Sequence, residues 1–354
     1  MAERYAHLEA YTPGEQPTDM KYIKLNTNES PFPPSPGVLR AISQERVREL
    51  RLYSDPDCNL LRRAIAKQFG FEKQNVFVSN GSDDILNFSF MAFCDGTKCG
   101  VAFPEISYGF YQVYADLYGV DAKKIALAED FSIRISDYCH NDRTVVIANP
   151  NAPTGIALTR EEVEQIVAAN PDHVVLIDEA YVDFGGESAL ELVKKYDNLL
   201  VVRTFSKSYS LAGARLGFAI GHPALIADLE KIKYSTNPYN INRLTLLAGT
   251  AAIEENDYYM ENCRRIIENR AYLTDSLRAL GFEVLPSCAN FIFAKSDRIG
   301  GEELYLALKA RGILVRHFTK EKIKNYNRIT IGTMEEMQIL TNTVRAILAE
   351  KSER

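Results

Sequence analysis

The chain has 354 residues, a formal net charge of −6, and 46% hydrophobic and 25% charged residues. That length suits two domains, or one large domain with an appendage, and the composition is that of a globular chain able to bury a core of ordinary size. The acidic balance argues against non-specific nucleic-acid binding, no apolar run approaches the roughly 18 residues of a membrane span, and the opening MAERYAHLEAYTPGEQP lacks the apolar core of a signal peptide.

The six cysteines, at positions 58, 94, 99, 139, 263 and 288, show no CxxC spacing, and the five histidines stand alone. Neither a metal site nor a disulfide framework is expected, and reduced thiols in a cytoplasmic protein are the plain reading. The chain contains no Walker A motif, no GxGxxG and no GxSxG.

In chain order, residues 12–37 are rich in Pro, Asn, Ser and Gly and read as an extended arm, so 1–37 are assigned to an N-terminal arm. Seven β-rich runs follow: 76–79, 99–103, 122–127, 144–148, 174–178, 199–204 and 216–221. Several are continuously apolar, as strands covered on both faces require. Helical patterns lie between them, such as 159–169, where Thr159 and Glu162 form a capping-box signature. The alternation predicts an α/β fold: a three-layer large domain (38–245) with a mostly parallel seven-stranded sheet. Beyond it, a long helical pattern at 257–280, β runs at 282–286, 290–295, 312–316 and 327–332, and an amphipathic terminal helix predict a smaller α/β domain (246–354).

Ligands of open α/β sheets bind beyond the carboxyl ends of the strands. After VFVS comes NGSDD, a Gly-Ser turn opening an apolar helix, whose free N–H groups and dipole suit a phosphate; Asp83 is equally a plain first-turn residue. Tyr108 follows the run at 99–103, where its ring can lie on a flat cofactor or simply pack. NPNAPTG (149–155) is a rigid turn that exposes amides. DEAYVDF sets Asp178 at the end of an apolar strand, where an acid is costly without a cationic partner unless it caps a helix. TFSKSYSLAGAR then sets Lys207 in the same crevice; a surface lysine is the bland alternative, but desolvation there makes the amine nucleophilic. Together these groups suit pyridoxal 5'-phosphate, which needs a lysine for a Schiff base, an acid for the pyridine nitrogen and a phosphate cup.

On the segments KLNTNESPFPPSP, LYSDPDCNLLRRAIA, NGSDDIL, NPNAPTG, IDEAYVDF, RTFSKSYSLAGARLGF, PYNINRL, ANFIF, ILVRHF and NRITIGT, the chain resembles the fold-type I pyridoxal-phosphate aminotransferases. Within them it is similar to the histidinol-phosphate aminotransferase branch over nearly its whole length. The resemblance implies that Lys207 binds the cofactor covalently and shuttles the proton, that Asp178 pairs with the pyridine nitrogen, and that Tyr181 bonds the phenolic oxygen. It further implies that Ser206 and Arg215, with backbone groups of Ser82 and Asp83 and help from Thr204, hold the phosphate, and that Tyr108 stacks on the ring. Tyr53 reaches the phosphate of a neighbouring subunit, so a homodimer with shared sites is implied. Arg316 and Arg328 are the anion-binding residues for substrate, and Tyr11 and Asn28 on the arm close over it. One position departs from the pattern. Many relatives carry Asn before Pro-Thr-Gly, and here that residue is Ala152; either Asn151 reaches the ring or Tyr181 carries the bond alone. The implied reaction is transamination between histidinol phosphate and 2-oxoglutarate. An aminotransferase for aromatic or other amino acids, a threonine-phosphate decarboxylase and a non-enzymatic regulator remain alternatives.

Overall fold

The computed structural model describes residues 5, 8, 9, 11–96 and 98–352. Its strands, in chain order, are β1 (Ile23–Leu25), β2 (Val76–Ser79), β3 (Val101–Pro104), β4 (Ala122–Ile125), β5 (Thr144–Ala148), β6 (Val175–Asp178), β7 (Leu199–Thr204), β8 (Gly217–Gly221), β9 (Phe282–Val284), β10 (Phe291–Ser296), β11 (Ile313–His317) and β12 (Asn327–Thr330). They form a seven-stranded sheet of order β2-β8-β7-β6-β5-β3-β4 and a five-stranded sheet of order β1-β11-β12-β10-β9.

The large sheet is parallel from β4 across to β7, and β8 runs antiparallel to both β7 and β2. Its central strands are apolar throughout because both faces are covered. Val145, Ile147, Val175, Ile177, Leu199 and Val201 enter one core, while the alternate residues Val146, Ala148, Leu176, Leu200 and Val202 enter another. A pleat that sends neighbours to opposite faces turns one apolar run into two packed layers around the sheet. The helix Arg160–Ala168 starts on the Thr159–Glu162 capping box read from the sequence, with both reciprocal bonds formed.

In the second sheet, the helix Asn256–Ala279 contributes Cys263, Ile266, Leu273 and Leu277, and the helix Met334–Ser352 contributes Met337, Leu340, Val344, Ile347 and Leu348, to a separate core. The arm is not wholly irregular: β1 adds to the edge of this sheet, parallel to β11, with Ile23 opposite Ile313 and Leu25 opposite Val315. Three residues are too few to show alternation, so the sequence reads them only as part of the extended arm. Position 246 lies inside the helix Arg243–Glu254. Ala248, Ala252 and Ile253 of that helix pack in the large-sheet core, so this helix belongs with the first sheet rather than the second.

The chain after β6 is held by a buried ionic cluster. Arg203 of β7 bridges Glu179 at 3.2 Å and Asp183 at 2.9 Å. Glu179 also accepts from the Ser188 hydroxyl and the Ala189 N–H, and Asp183 accepts from the Ser208 hydroxyl. One guanidinium thus ties the segment after Asp178 to the residue after Lys207. Removing one partner from a buried ion pair leaves the others uncompensated. Arg203→Met is therefore expected to lower the unfolding free energy by about 3–5 kcal/mol, measured by urea denaturation; a loss under about 1 kcal/mol would show the cluster to be dispensable.

Candidate active site

The carboxyl ends of β5, β6 and β7, the turn before the helix Ser82–Phe93, and the arm enclose a cavity of about 330 Å³. Asp178, Tyr181, Lys207, Ser82, Asp83, Tyr108, Thr204, Ser206 and Arg215 all line it.

Asp178 ends β6 and is 5% exposed. Its Oδ2 accepts from the Tyr111 hydroxyl at 2.9 Å and its Oδ1 from the Ala180 N–H at 3.2 Å. Among the described residues no cation bonds it. Burial is the main cause that pushes its carboxyl from 3.8 up to about 6, against the Tyr111 hydrogen bond, which pulls it down. Sequence reasoning missed Tyr111. The available signal was aromatic spacing: Tyr108, Tyr111 and Tyr114 recur every three residues through the start of the helix Phe110–Tyr118. All three hydroxyls bond residues that line the cavity, Tyr108 on Asp83 Oδ1 (2.7 Å), Tyr111 on Asp178 and Tyr114 on the Asp83 carbonyl (2.9 Å).

Lys207 stands across the cavity. Its amine donates to the Thr27 carbonyl of the arm at 3.2 Å and lies 5.8 Å from the centre of the Tyr181 ring. The Thr204 hydroxyl accepts from the Ser206 N–H, fixing the turn that carries the lysine.

The far end of the cavity is built for an anion. Gly81, at φ +85°, precedes the helix Ser82–Phe93, and Arg215, itself at φ +52°, reaches back to Asp83 Oδ2 at 2.8 Å. A Cβ on Gly81 would sit 2.7 Å from the Arg215 guanidinium, and one on Gly217 would sit 2.4 Å from the Ser82 nitrogen. Only glycine at both positions lets backbone N–H groups, the helix dipole and the guanidinium converge.

A second cavity of about 380 Å³ adjoins the first, sharing Thr27, Tyr108, Ala152, Tyr181 and Lys207 with it and adding Tyr11, Asn28, Arg316 and Arg328. The two arginines face each other across the pairing of β11 and β12. Arg328 donates to the Asn26 carbonyl at 2.9 Å, and Arg316 to the Thr12 and Pro13 carbonyls at 3.3 Å. Among the described residues neither has a carboxylate partner. Tyr11 packs on Phe110, with ring centres 4.3 Å apart.

Two expected residues lie elsewhere. Asn151 does not reach the cavity. Its Oδ1 accepts from the Ser107 hydroxyl and its Nδ2 donates to the Ile106 carbonyl and the Thr154 hydroxyl, so the side chain holds its own loop. Tyr53 is 78% exposed and stacks on Tyr239 at 4.6 Å, away from this chain's own cavity.

The family model for class I and II aminotransferases matches residues 20–344. The chain belongs to that family. It is 51% identical over 350 residues to the histidinol-phosphate aminotransferase of Brachyspira hyodysenteriae, covering 98% of each chain. It is likewise 51% identical over 348 residues to that of a Marinomonas species, again covering 98% of each. Among solved structures, the histidinol-phosphate aminotransferase of Sinorhizobium meliloti in complex with pyridoxal-5'-phosphate superposes with a TM-score of 0.84 at 25% identity, covering 93% of this chain and 92% of that one. The aminotransferase is therefore pyridoxal-phosphate dependent, and its residues fit that cofactor. Among the described residues the buried carboxylate of Asp178 meets no cation, the glycine-lined end offers backbone N–H groups and the Arg215 guanidinium to an anion, and the Lys207 amine lines the same cavity.

The raised pKa of Asp178 makes a stability statement for the cofactor-free aminotransferase. The folded state holds this proton at a pH where the unfolded chain has lost it, so the group's contribution falls as pH rises from about 4 to about 6 and is then level. With the carboxyl moved from 3.8 to about 6, the loss is on the order of 3 kcal/mol. Asp178→Asn is expected to remove that slope, measured by unfolding of cofactor-free wild type and variant across this range; identical slopes would contradict the burial described here.

Proposed function

We propose that this aminotransferase moves the amino group of L-histidinol phosphate to 2-oxoglutarate, yielding imidazole-acetol phosphate and L-glutamate in histidine biosynthesis. The observation that carries the substrate reading is the pair Arg316 and Arg328, adjacent on β11 and β12 and free of carboxylates among the described residues. Such a fork holds the phosphate of the donor in one half-reaction and a carboxylate of the acceptor in the other. The names of relatives at 51% identity support the same donor and give no support to an aromatic donor or to a decarboxylase.

Bound pyridoxal phosphate supplies an aldehyde that takes the amino group covalently and a ring that withdraws electrons from the substrate Cα. The chain's own groups do the rest. Asp178 keeps a proton on the ring nitrogen, where a buried carboxylate makes the protonated state favourable. The Ser82 and Asp83 N–H groups, Ser206 and Arg215 hold the phosphate, with Thr204 shaping the Ser206 turn. Tyr108 would cover one face of the ring, and the Tyr181 hydroxyl would be the donor for its phenolic oxygen; the Lys207 amine, lining the same cavity, would take the proton from the substrate Cα. Tyr11, packed on Phe110 at the cavity mouth, keeps water from the reacting atoms.

The exposed Tyr53 stacks on the exposed Tyr239, and Leu50, Leu52 and Leu60, near it in sequence, are exposed in the single chain as well. A second copy covering this face would bring Tyr53 to the partner's phosphate, giving a homodimer with shared sites. No helix among the described residues is long and apolar enough to cross a membrane, and a cytoplasmic enzyme acting on small molecules, with no nucleic-acid partner, is the accompanying proposal. Its domains are the arm, a large cofactor domain running through the helix Arg243–Glu254, and a small domain beyond it.

With 2-oxoglutarate as acceptor, histidinol phosphate is expected to be the best donor in a panel that includes phenylalanine and threonine phosphate. Turnover of phenylalanine alone, or release of CO₂ from threonine phosphate, would reject the assignment. Arg328→Ala should raise KM for histidinol phosphate by about 10- to 100-fold while leaving the cofactor's visible band in place. The shared site has its own test. Lys207→Ala and Tyr53→Ala subunits, each impaired alone, should recover activity when mixed, because one site of the hybrid then has both wild-type residues; no recovery in a verified hybrid would contradict sharing.

A further inference from the structure

The sequence places Asn28 on an arm that closes over substrate, yet the structure buries it to 1% exposure with its backbone at φ +56°, in the left-handed region that Asn tolerates better than most residues. Four hydrogen bonds, each 3.0 Å long, fix it: its N–H donates to the Thr330 hydroxyl oxygen, its carbonyl accepts from the Asn290 amide, its Oδ1 accepts from the Thr330 hydroxyl, and its Nδ2 donates to the Tyr181 hydroxyl. The order of these bonds matters. Among the described residues the one acceptor that meets the Thr330 hydroxyl hydrogen is Asn28 Oδ1, so the hydroxyl donates there while its oxygen accepts from the Asn28 N–H. That sets which end of the amide is which, and the NH₂ end faces Tyr181. The Tyr181 oxygen is then an acceptor on the Asn28 side, and its own hydrogen is turned away from Asn28.

Tyr181 lines both cavities, and among the described residues its hydroxyl makes no other hydrogen bond. Among the described residues the neighbouring wall gives the phenolic position no side-chain amide, since Ala152 presents a methyl group packed with Ala289, Phe291 and Tyr181, and the Asn151 amide is spent on Ser107, Ile106 and Thr154.

We infer that Asn28 is a positioning residue: clamped by Thr330, its amide commits the Tyr181 hydroxyl to donate into the cofactor cavity, filling the role that the amide-free Ala152 leaves open. The inference rests on the cofactor assignment proposed above. A donor aimed at the phenolic oxygen favours its ionised form and so lowers the pH at which the cofactor's visible band converts. Thr330 lies two residues beyond Arg328 on β12, so the strand that binds the substrate anion also sets the donor that tunes the cofactor.

The test is a spectrophotometric pH titration of the holoenzyme, read for the midpoint of the visible band. Asn28→Asp keeps the shape but offers only acceptors, drawing the Tyr181 hydrogen to itself; the midpoint should rise by on the order of one pH unit. Asn28→Gly keeps the left-handed backbone and removes the amide, and should raise it by less. Tyr181→Phe should raise it too, and adding Asn28→Gly to Tyr181→Phe should change nothing more. A midpoint unmoved by both Asn28 variants, or an Asn28→Gly shift that is the same with and without Tyr181→Phe, overturns the inference while leaving the cofactor assignment standing. A wild-type protein that takes up no pyridoxal phosphate would overturn the assignment itself and the inference with it.

Discussion

At the end of β6 two consecutive acids are buried, and the chain treats them differently. Glu179 is given a guanidinium, a hydroxyl and a backbone N–H. Asp178, one residue earlier and facing the cavity, receives a tyrosine hydroxyl and one N–H, and no charge. A carboxylate withdrawn from water costs several kcal/mol unless a cation answers it, and here the answering cation must come from outside the chain. A protonated pyridine nitrogen is such a cation, and a ring placed against Asp178 extends toward Lys207, Tyr181 and the glycine-lined anion cup.

The remaining architecture keeps that acid dry and that ring in place. Parallel strands end together at the same edge of the sheet, so side chains far apart in sequence arrive in one crevice. Arg203 couples the turn after Asp178 to the turn that carries Lys207, through Asp183 and Ser208. The arm crosses from the second sheet, where β1 pairs with β11, to the cavity, where the Thr27 carbonyl meets the Lys207 amine and Asn28 meets Tyr181. The arginine pair on β11 and β12 and the cavity at the large sheet are thereby joined through one short segment.

Much of this was legible in the sequence because the physics is local. Continuous apolar runs mark β5, β6 and β7, Thr159 and Glu162 mark a helix start, and a lysine or an aspartate closing such a run stands out. What escaped depends on contacts between distant segments. The short β1 exists only because β11 offers an edge. Tyr111 has no role legible in the sequence; it gains one only where the fold lays Asp178 beside it. The sequence leaves Asn151 either reaching the ring or not, and its amide is taken by Ser107 and Ile106; it puts Asn28 on an arm over the substrate, and only Thr330, 302 residues away, fixes its orientation. The helix Arg243–Glu254 crosses position 245, and nothing in its own pattern tells which core it joins.

The most direct measurement of the central claim is the number of protons taken up when pyridoxal phosphate binds the cofactor-free chain. It is obtained by calorimetric titration near pH 8 in buffers of different ionisation enthalpy. If the buried Asp178 carboxylate holds a proton on the ring nitrogen, wild type should take up about one proton more than Asp178→Asn. Equal uptake by the two proteins would show that the carboxylate does not set the charge of the ring, and would contradict the account.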